Sequence, residues 1–411
     1  MPKPIRIRMY RTGFGDCFLV TFGADQSARH ILVDFGVHAQ GDIGTMSDIM
    51  SNIEEATDKK LELIIATHAH RDHISGFGSF AARFAEFKIG EVWMPWTDDP
   101  KDKDASAVKK KHLALYDILE NHLRIALGAR ESMPEYAAAL NALSNLKGNE
   151  TATTELARGF GTGADVRYLK AGTSISKVAE ITGLSAEILA PSKDKTFLSR
   201  MNPPADQHFM TSPGDTSHAI QPFPKLAIRD KDRDFKALVK DGQPVLPKQE
   251  LAKLHELAET PAGRLALALD NMRNNTSLVV LFRFQGKTLL FPGDAQWGNW
   301  QSWIGTDGAR QLIGELDFLK VAHHGSENAT PVDVVNGLRE AGLAVMVPTQ
   351  IKPFPTIPRM PLIKQLEKHC LGHLAVRSDW IDVADAPRGP AAKPKFPQGF
   401  KRGKIWIDYE F

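Results

Sequence analysis

The 411-residue chain reads as an α/β (α+β) protein, one mixed core interrupted by helical insertions. Three observations predict this. Short apolar runs of β-type residues recur over residues 5–95 and again from residue 277 to the end. Helix-period segments fall between these runs, which gives strand–helix–strand layering. Two stretches, 96–162 and 193–273, break the alternation. We therefore expect a single domain over 1–411 with both stretches inserted in it.

The elements follow in order. Residues 5–9 alternate basic and apolar side chains and predict a first strand with one wet face. Residues 18–22 and 30–34 are strand candidates around a polar turn. Residues 47–56 read as a helix, 61–67 as a buried strand, 74–87 as a helix and 91–95 as a strand. Residues 101–130 and 134–146 are helical in period, and 164–169 and 186–191 return to strand. Residues 193–245 are rich in Pro, Asp, Lys and Gln and read as a long loop. Residues 247–273 read as a helix. A hairpin is expected at 277–284 and 287–291 around Gln285-Gly286. Strands at 316–322, 344–348 and 404–411 and a helix at 361–369 complete the chain. No repeat of 20–50 residues is present.

Bulk properties narrow the class. Hydrophobic residues make up 42% and charged residues 24%, as in ordinary soluble globular proteins. The net charge of +2 gives no electrostatic case for a polyanionic partner. The basic run Lys109-Lys110-Lys111 reads as a solvated helix face. Cys17 and Cys370 are the only cysteines and predict buried, reduced thiols rather than a disulfide framework. The N-terminus lacks the apolar core of a signal peptide. No apolar run approaches the roughly 18 residues that cross a bilayer. A cytoplasmic protein with no membrane segment is expected; the sequence sets no oligomeric state.

The chemistry concentrates in His68-Ala69-His70-Arg71-Asp72-His73, directly after the apolar run 61–67. Imidazole and carboxylate are ligands for zinc, manganese and iron. In extended backbone, residues i and i+2 point the same way. His68 and His70 then present two nitrogens to one point, while Asp72 and His73 face a second point where the chain turns into a helix. One loop can seed two metals. A solvated polar loop is the competing reading, and the clustering of four ligand-type side chains behind a buried strand weighs against it.

H-x-H-x-D-H resembles the signature of the metallo-β-lactamase superfamily. The resemblance implies an αββα sandwich with a dinuclear site at one edge. Asp34, in Ile31-Leu32-Val33-Asp34-Phe35-Gly36, resembles the Asp that supports the metal-binding loop from behind. Asp294, in Leu290-Phe291-Pro292-Gly293-Asp294, resembles the Asp that bridges both metals. Leu319-Lys320-Val321-Ala322-His323-His324-Gly325-Ser326 resembles the motif that follows it. By resemblance His324 binds the second metal, and His323 touches substrate or protonates the leaving group. Gly325 would leave room for a ligand to approach.

Finer wording points to one branch. Gly13-Phe14-Gly15-Asp16, Asn274-Asn275-Thr276-Ser277-Leu278-Val279 and His-His-Gly-Ser resemble the branch that includes the ComEC-type DNA-uptake hydrolase domain and phosphorylcholine esterases. Two departures stand out. Many superfamily members carry a histidine where this chain has Asn274-Asn275. Either the Asn275 carbonyl coordinates, which would harden the site toward manganese, or Asn275 caps the turn into the strand. In place of a His-Pro the chain has Pro358-Arg359-Met360-Pro361, where Arg359 is either a phosphate contact or a surface residue.

The expected function is metal-dependent hydrolysis of a phosphodiester, by a phosphodiesterase or nuclease with a hydroxide held between two divalent metal ions, Zn or Mn. The expected ligands are His68, His70, Asp72, His73, Asn275, Asp294 and His324. The expected catalytic residues are Asp72, Asp294 and His323, with Lys320 and Ser326 as candidate phosphate contacts. The substrate is expected to be a phosphodiester or other small ester, with single-stranded DNA as one candidate. The alternatives are a lactonase or thioesterase on the same fold, or a non-catalytic metal-binding scaffold.

Overall fold

Strands with apolar side chains on both faces have to be covered on both sides, and the chain meets this demand with four layers. The computed structural model describes residues 4–40, 44–110, 113, 149–200, 203–209, 239–240, 243–244, 273–326, 328–350, 357–380 and 395–411. Among the described residues, two small two-stranded sheets accompany two large ones, and one large sheet has eight strands, ordered Phe400–Arg402, Trp406–Glu410, Ile5–Tyr10, Cys17–Phe22, Arg29–Phe35, Lys60–Ile65, Lys88–Pro95 and Asp165–Leu169. The other has seven, ordered Val376–Arg377, Ala344–Val347, Phe318–Lys320, Lys287–Phe291, Val279–Phe284, Leu184–Ala190 and Thr173–Ile175.

The period-2 alternation of the strands sorts their side chains between two cores. Phe18, Val20, Phe22, Ile31, Val33, Leu63 and Ile65 point between the sheets, against Val280, Phe282, Phe284, Leu289 and Phe291 of the other sheet. Phe18 meets Phe291 edge-on at 5.8 Å, and Phe22 meets Phe284 at 5.0 Å. Leu19, Leu32 and Ile64 point the opposite way, into a layer shared with the helices Met46–Thr57, Arg71–Ser79 and Glu150–Ala157. The second sheet is covered likewise by Trp297–Ile304, Ala309–Gly314, Val332–Gly337 and Met360–Glu367. The order is helix, sheet, sheet, helix, as the αββα expectation requires.

Arg29–Phe35, Lys60–Ile65 and Lys88–Pro95 run parallel, and so do Lys287–Phe291, Phe318–Lys320 and Ala344–Val347. Loops at the carboxyl ends of parallel strands are the usual place for a site. The segments holding Asp34, His68–His73, Asp294 and His323-His324 all leave such ends.

Several expectations change. The first strand's expected wet face is mostly covered: Arg6 is half-buried, and Arg8 is buried, pairs with Asp408 at 2.7 Å and lies over the Trp406 ring at 4.1 Å. The C-terminal strand Trp406–Glu410 lies antiparallel against it and supplies those partners. The helices Trp297–Ile304, Ala309–Gly314 and Val332–Gly337 were not legible, since six to eight residues hold too few turns for a period to register. The helix expected over 74–87 is two, Arg71–Ser79 and Ala81–Phe84. Of 101–130, residues 103–110 are helical. The helix at 134–146, most of 210–245 and nearly all of 247–273 lie outside the described residues. Cys17 and Cys370 are free and buried. Among the described residues no helix is long and apolar enough to cross a membrane.

Asp408→Ala should leave the Arg8 guanidinium buried without its carboxylate. A loss of about 3–5 kcal/mol in urea unfolding is expected; a change below about 0.5 kcal/mol would show that Trp406 and Asn52, whose Oδ1 accepts from Arg8 at 2.9 Å, alone satisfy Arg8.

Candidate metal centre

Asp34 ends its strand in the left-handed region, with φ of 56°. Its Oδ1 accepts the Thr67 N–H at 2.8 Å, and its Oδ2 accepts the Thr67 hydroxyl at 2.8 Å. Oδ2 also lies 2.7 Å from His73 Nδ1. Asp34 thus holds the start of the histidine loop and orients the His73 ring, leaving Nε2 to face inward. The close fit depends on Gly36: a Cβ there would lie 2.4 Å from the Asp72 carbonyl carbon and the His73 nitrogen. The Asp16 segment packs on the same turn, its N–H donating to Asp72 O at 2.8 Å.

His68 and His70 lie side by side across a bend at residues 68–69, where the i, i+2 argument assumes extended backbone, with His68 Nε2 2.9 Å from His70 Nδ1. The helix Arg71–Ser79 starts directly after His70, carrying Asp72 in its first turn. From the other sheet, Asp294 brings Oδ2 to 3.0 Å from His73 Nε2. His324 brings Nε2 to 3.1 Å from Asp72 Oδ2 and 3.6 Å from Asp294 Oδ2. The other His324 nitrogen, Nδ1, lies 3.0 Å from Pro348 O. Asp72, His73, Asp294 and His324 each offer a ligand atom within 4.8 Å of the others, and all four are buried.

The turn that delivers the two histidines is strained: φ is 45° at His323 and 54° at His324. Left-handed backbone at non-glycine residues is costly and persists where the surroundings impose it. Gly325 follows with φ of 82°, and a Cβ on it would lie 2.8 Å from Pro358 Cβ. The expectation that Gly325 leaves room for a ligand is therefore corrected; Pro358 fills that space. Ser326 Oγ lies 2.7 Å from His323 Nδ1, so it braces His323. Asn274 Nδ2 approaches His323 Nε2 at 3.3 Å. Asn275 uses both ends of its carboxamide on backbone: Nδ2 donates to Arg200 O at 2.7 Å, and Oδ1 accepts from Asn299 N at 3.3 Å. Arg359 precedes the helix Met360–Glu367, its N–H donating to Gly325 O at 2.8 Å.

Two residues gain importance that the sequence did not reveal. Lys320, expected as a phosphate contact, is 2% exposed. Its ammonium contacts Asp16 Oδ2, Gly293 O at 2.7 Å and Asp294 Oδ1 at 3.3 Å. Asp16, itself buried, lies 3.4 Å from His324 Nδ1. The sequence offers both residues separately, Asp16 in Gly13-Phe14-Gly15-Asp16 and Lys320 in the strand before His323-His324, but their pairing exists only in the fold.

The electrostatics fit a cation site. Burial pulls the His73 imidazolium toward neutrality, but Asp294, Asp16, Asp34 and Asp72 outweigh it and hold its pKa well above the ordinary value. His324 is raised against burial by Asp294 and by Asp72. Burial raises Asp294, yet His73, His324 and Lys320 depress it well below the usual carboxylate range. Burial, with His73 and His70 adding to it, pushes His68 well down, and burial takes His70 to about 3. Burial also takes His323 to about 4. Asp72 Oδ1 is buried without a hydrogen-bond partner, an arrangement that costs free energy unless a cation fills the role. Imidazole nitrogens and carboxylate oxygens suit zinc or manganese.

Residues 10–141 match the family model of the metallo-beta-lactamase superfamily. That superfamily consists mainly of metal-dependent hydrolases that bind divalent metals. The matched residues include Asp16, Asp34 and His68–His73; Asp294, His323 and His324 lie beyond them and reach the same cluster through the second sheet. No curated protein matches the chain.

Metal ligation requires neutral imidazole, and the raised pKa of His73 and of His324 favours their protonated forms, so uptake is expected to displace protons. Adding zinc to the metal-free protein in weakly buffered solution at pH 7 should acidify it, and metal affinity should fall as pH drops. Uptake without proton release would show that these histidines are not ligands.

Proposed function

We propose that the protein is a metal-dependent hydrolase of phosphodiesters, with two divalent ions, Zn or Mn, at the cluster. The observation that carries this reading is the convergence of Asp72, His73, Asp294 and His324 from two sheets, directly beside the His68–His70 pair. His68 and His70 would hold one ion, and Asp72, His73 and His324 the other, with Asp294 beside both groups. His73 lies between the groups, its ring 4.2 Å from His68 and its Nε2 on Asp294. Ions bound there would lower the pKa of water and offset charge on phosphoryl oxygens.

The remaining chemistry belongs to the chain. Asp34 keeps His73 in one orientation through Nδ1, and Pro348 O does the same for His324. His323 is half-buried at the cluster rim, held by Ser326 and Asn274. A pKa near 4 leaves it neutral at pH 7. An arriving phosphate anion would raise that value and make His323 a better proton donor to the departing oxygen. The preference for a phosphodiester over a β-lactam, lactone or thioester rests on the wording of the ComEC-like motifs, including Gly13-Phe14-Gly15-Asp16 and His-His-Gly-Ser. A non-catalytic scaffold would not need so many buried ionisable groups, whose desolvation costs stability.

His68→Ala and Asp294→Ala should each reduce hydrolysis of bis(p-nitrophenyl) phosphate to background while the circular dichroism spectrum is retained. Wild-type turnover in both variants would sink the dinuclear mechanism. In the same panel, single-stranded DNA cleavage that falls steeply with added salt would identify a nuclease through counterion release. Salt-insensitive turnover of small diesters would identify an esterase.

A further inference from the structure

Asp294 is held asymmetrically. Its Oδ1 takes the Lys320 ammonium at 3.3 Å and the His323 N–H at 3.2 Å. Its Oδ2 faces His73 Nε2 at 3.0 Å and His324 Nε2 at 3.6 Å. An ammonium has three N–H donors. Lys320 donates to Gly293 O and Asp294 Oδ1 and forms an ion pair with Asp16 Oδ2, so its ammonium is fully engaged inside the protein. Lys320 and Asp16 are 2% and 1% exposed, too deep to touch substrate.

We propose that Lys320, anchored by Asp16, is a positioning residue that reserves Asp294 Oδ1 and presents Oδ2 alone to the histidine cluster. This rests on the dinuclear reading above. A carboxylate free to rotate can close both oxygens on one ion, which favours a single tight site. Held at Oδ1, it has one oxygen to offer, and that oxygen lies among ligand atoms from both motifs. Asp16 is needed because a buried ammonium beside a cation site would otherwise repel the ions; its carboxylate cancels that charge. Asp16 also lies 3.7 Å from His73 Nδ1 and 3.4 Å from His324 Nδ1, behind the two rings. The pair thus forms a rigid, neutral backing for the ligands.

The test uses the full chain and Mn(II). The double variant Asp16→Asn/Lys320→Met removes both charges together, which a buried site tolerates better than losing one. It should fold, bind the second Mn(II) at least about tenfold more weakly, and lose the spin-coupled dimanganese signal in electron paramagnetic resonance. Asp16→Asn/Lys320→Gln retains one amide donor for Oδ1 and should recover part of the coupled signal. Two ions bound at wild-type affinity with an unchanged coupled signal in the Met double variant would overturn the proposal. So would identical behaviour of the Met and Gln doubles. Wild-type protein that never binds a pair of ions would overturn the dinuclear reading itself and the proposal with it, an outcome visible without any variant.

Discussion

Asp16, Asp34, Asp72 and Asp294 lie together out of water, each at most 3% exposed. Moving even one carboxylate into a low-dielectric interior costs several kcal/mol unless positive charge or hydrogen bonds compensate. The local structure is arranged around that demand. Lys320 meets Asp16, and the Thr67 N–H and hydroxyl meet Asp34. His73 stands between Asp34 and Asp294, and His324 stands against Asp72. Raised pKa values at His73 and His324 mark where cationic charge is wanted most.

The sandwich makes such a cluster possible because each sheet supplies a part. The first sheet delivers Asp16, Asp34 and the His68–His73 turn, and the second delivers Asp294, Lys320 and the His323-His324 turn. The interlocked phenylalanines between the sheets fix how the two halves meet. Backbone strain gathers at this junction, with left-handed conformations at Asp34, His323 and His324. A packed core on both sides can sustain that cost.

Much of this was legible in the sequence, for identifiable reasons. Strands such as Cys17–Phe22 and Lys287–Phe291 carry dense β-type residues, and the H-x-H-x-D-H turn begins two residues after its strand. His68 and His70 lie side by side across a bend at residues 68–69, a turn that the extended-backbone argument does not include. What failed was long-range. Arg8 was placed in water because its partners Asp408 and Trp406 lie at the far end of the chain. Lys320 was read as a substrate contact because nothing local shows that Asp16 waits opposite it. Gly325 was read as open space because Pro358 returns to that position only in the folded chain. Short helices such as Val332–Gly337 left no period to detect.

The most direct test of the proposed centre is anomalous X-ray diffraction from crystals grown with saturating zinc or manganese, collected at each metal's absorption edge. The account predicts two peaks, one beside His68 and His70 and one among Asp72, His73, Asp294 and His324. No anomalous density within the cluster, with these side chains ordered as they are here, would contradict it.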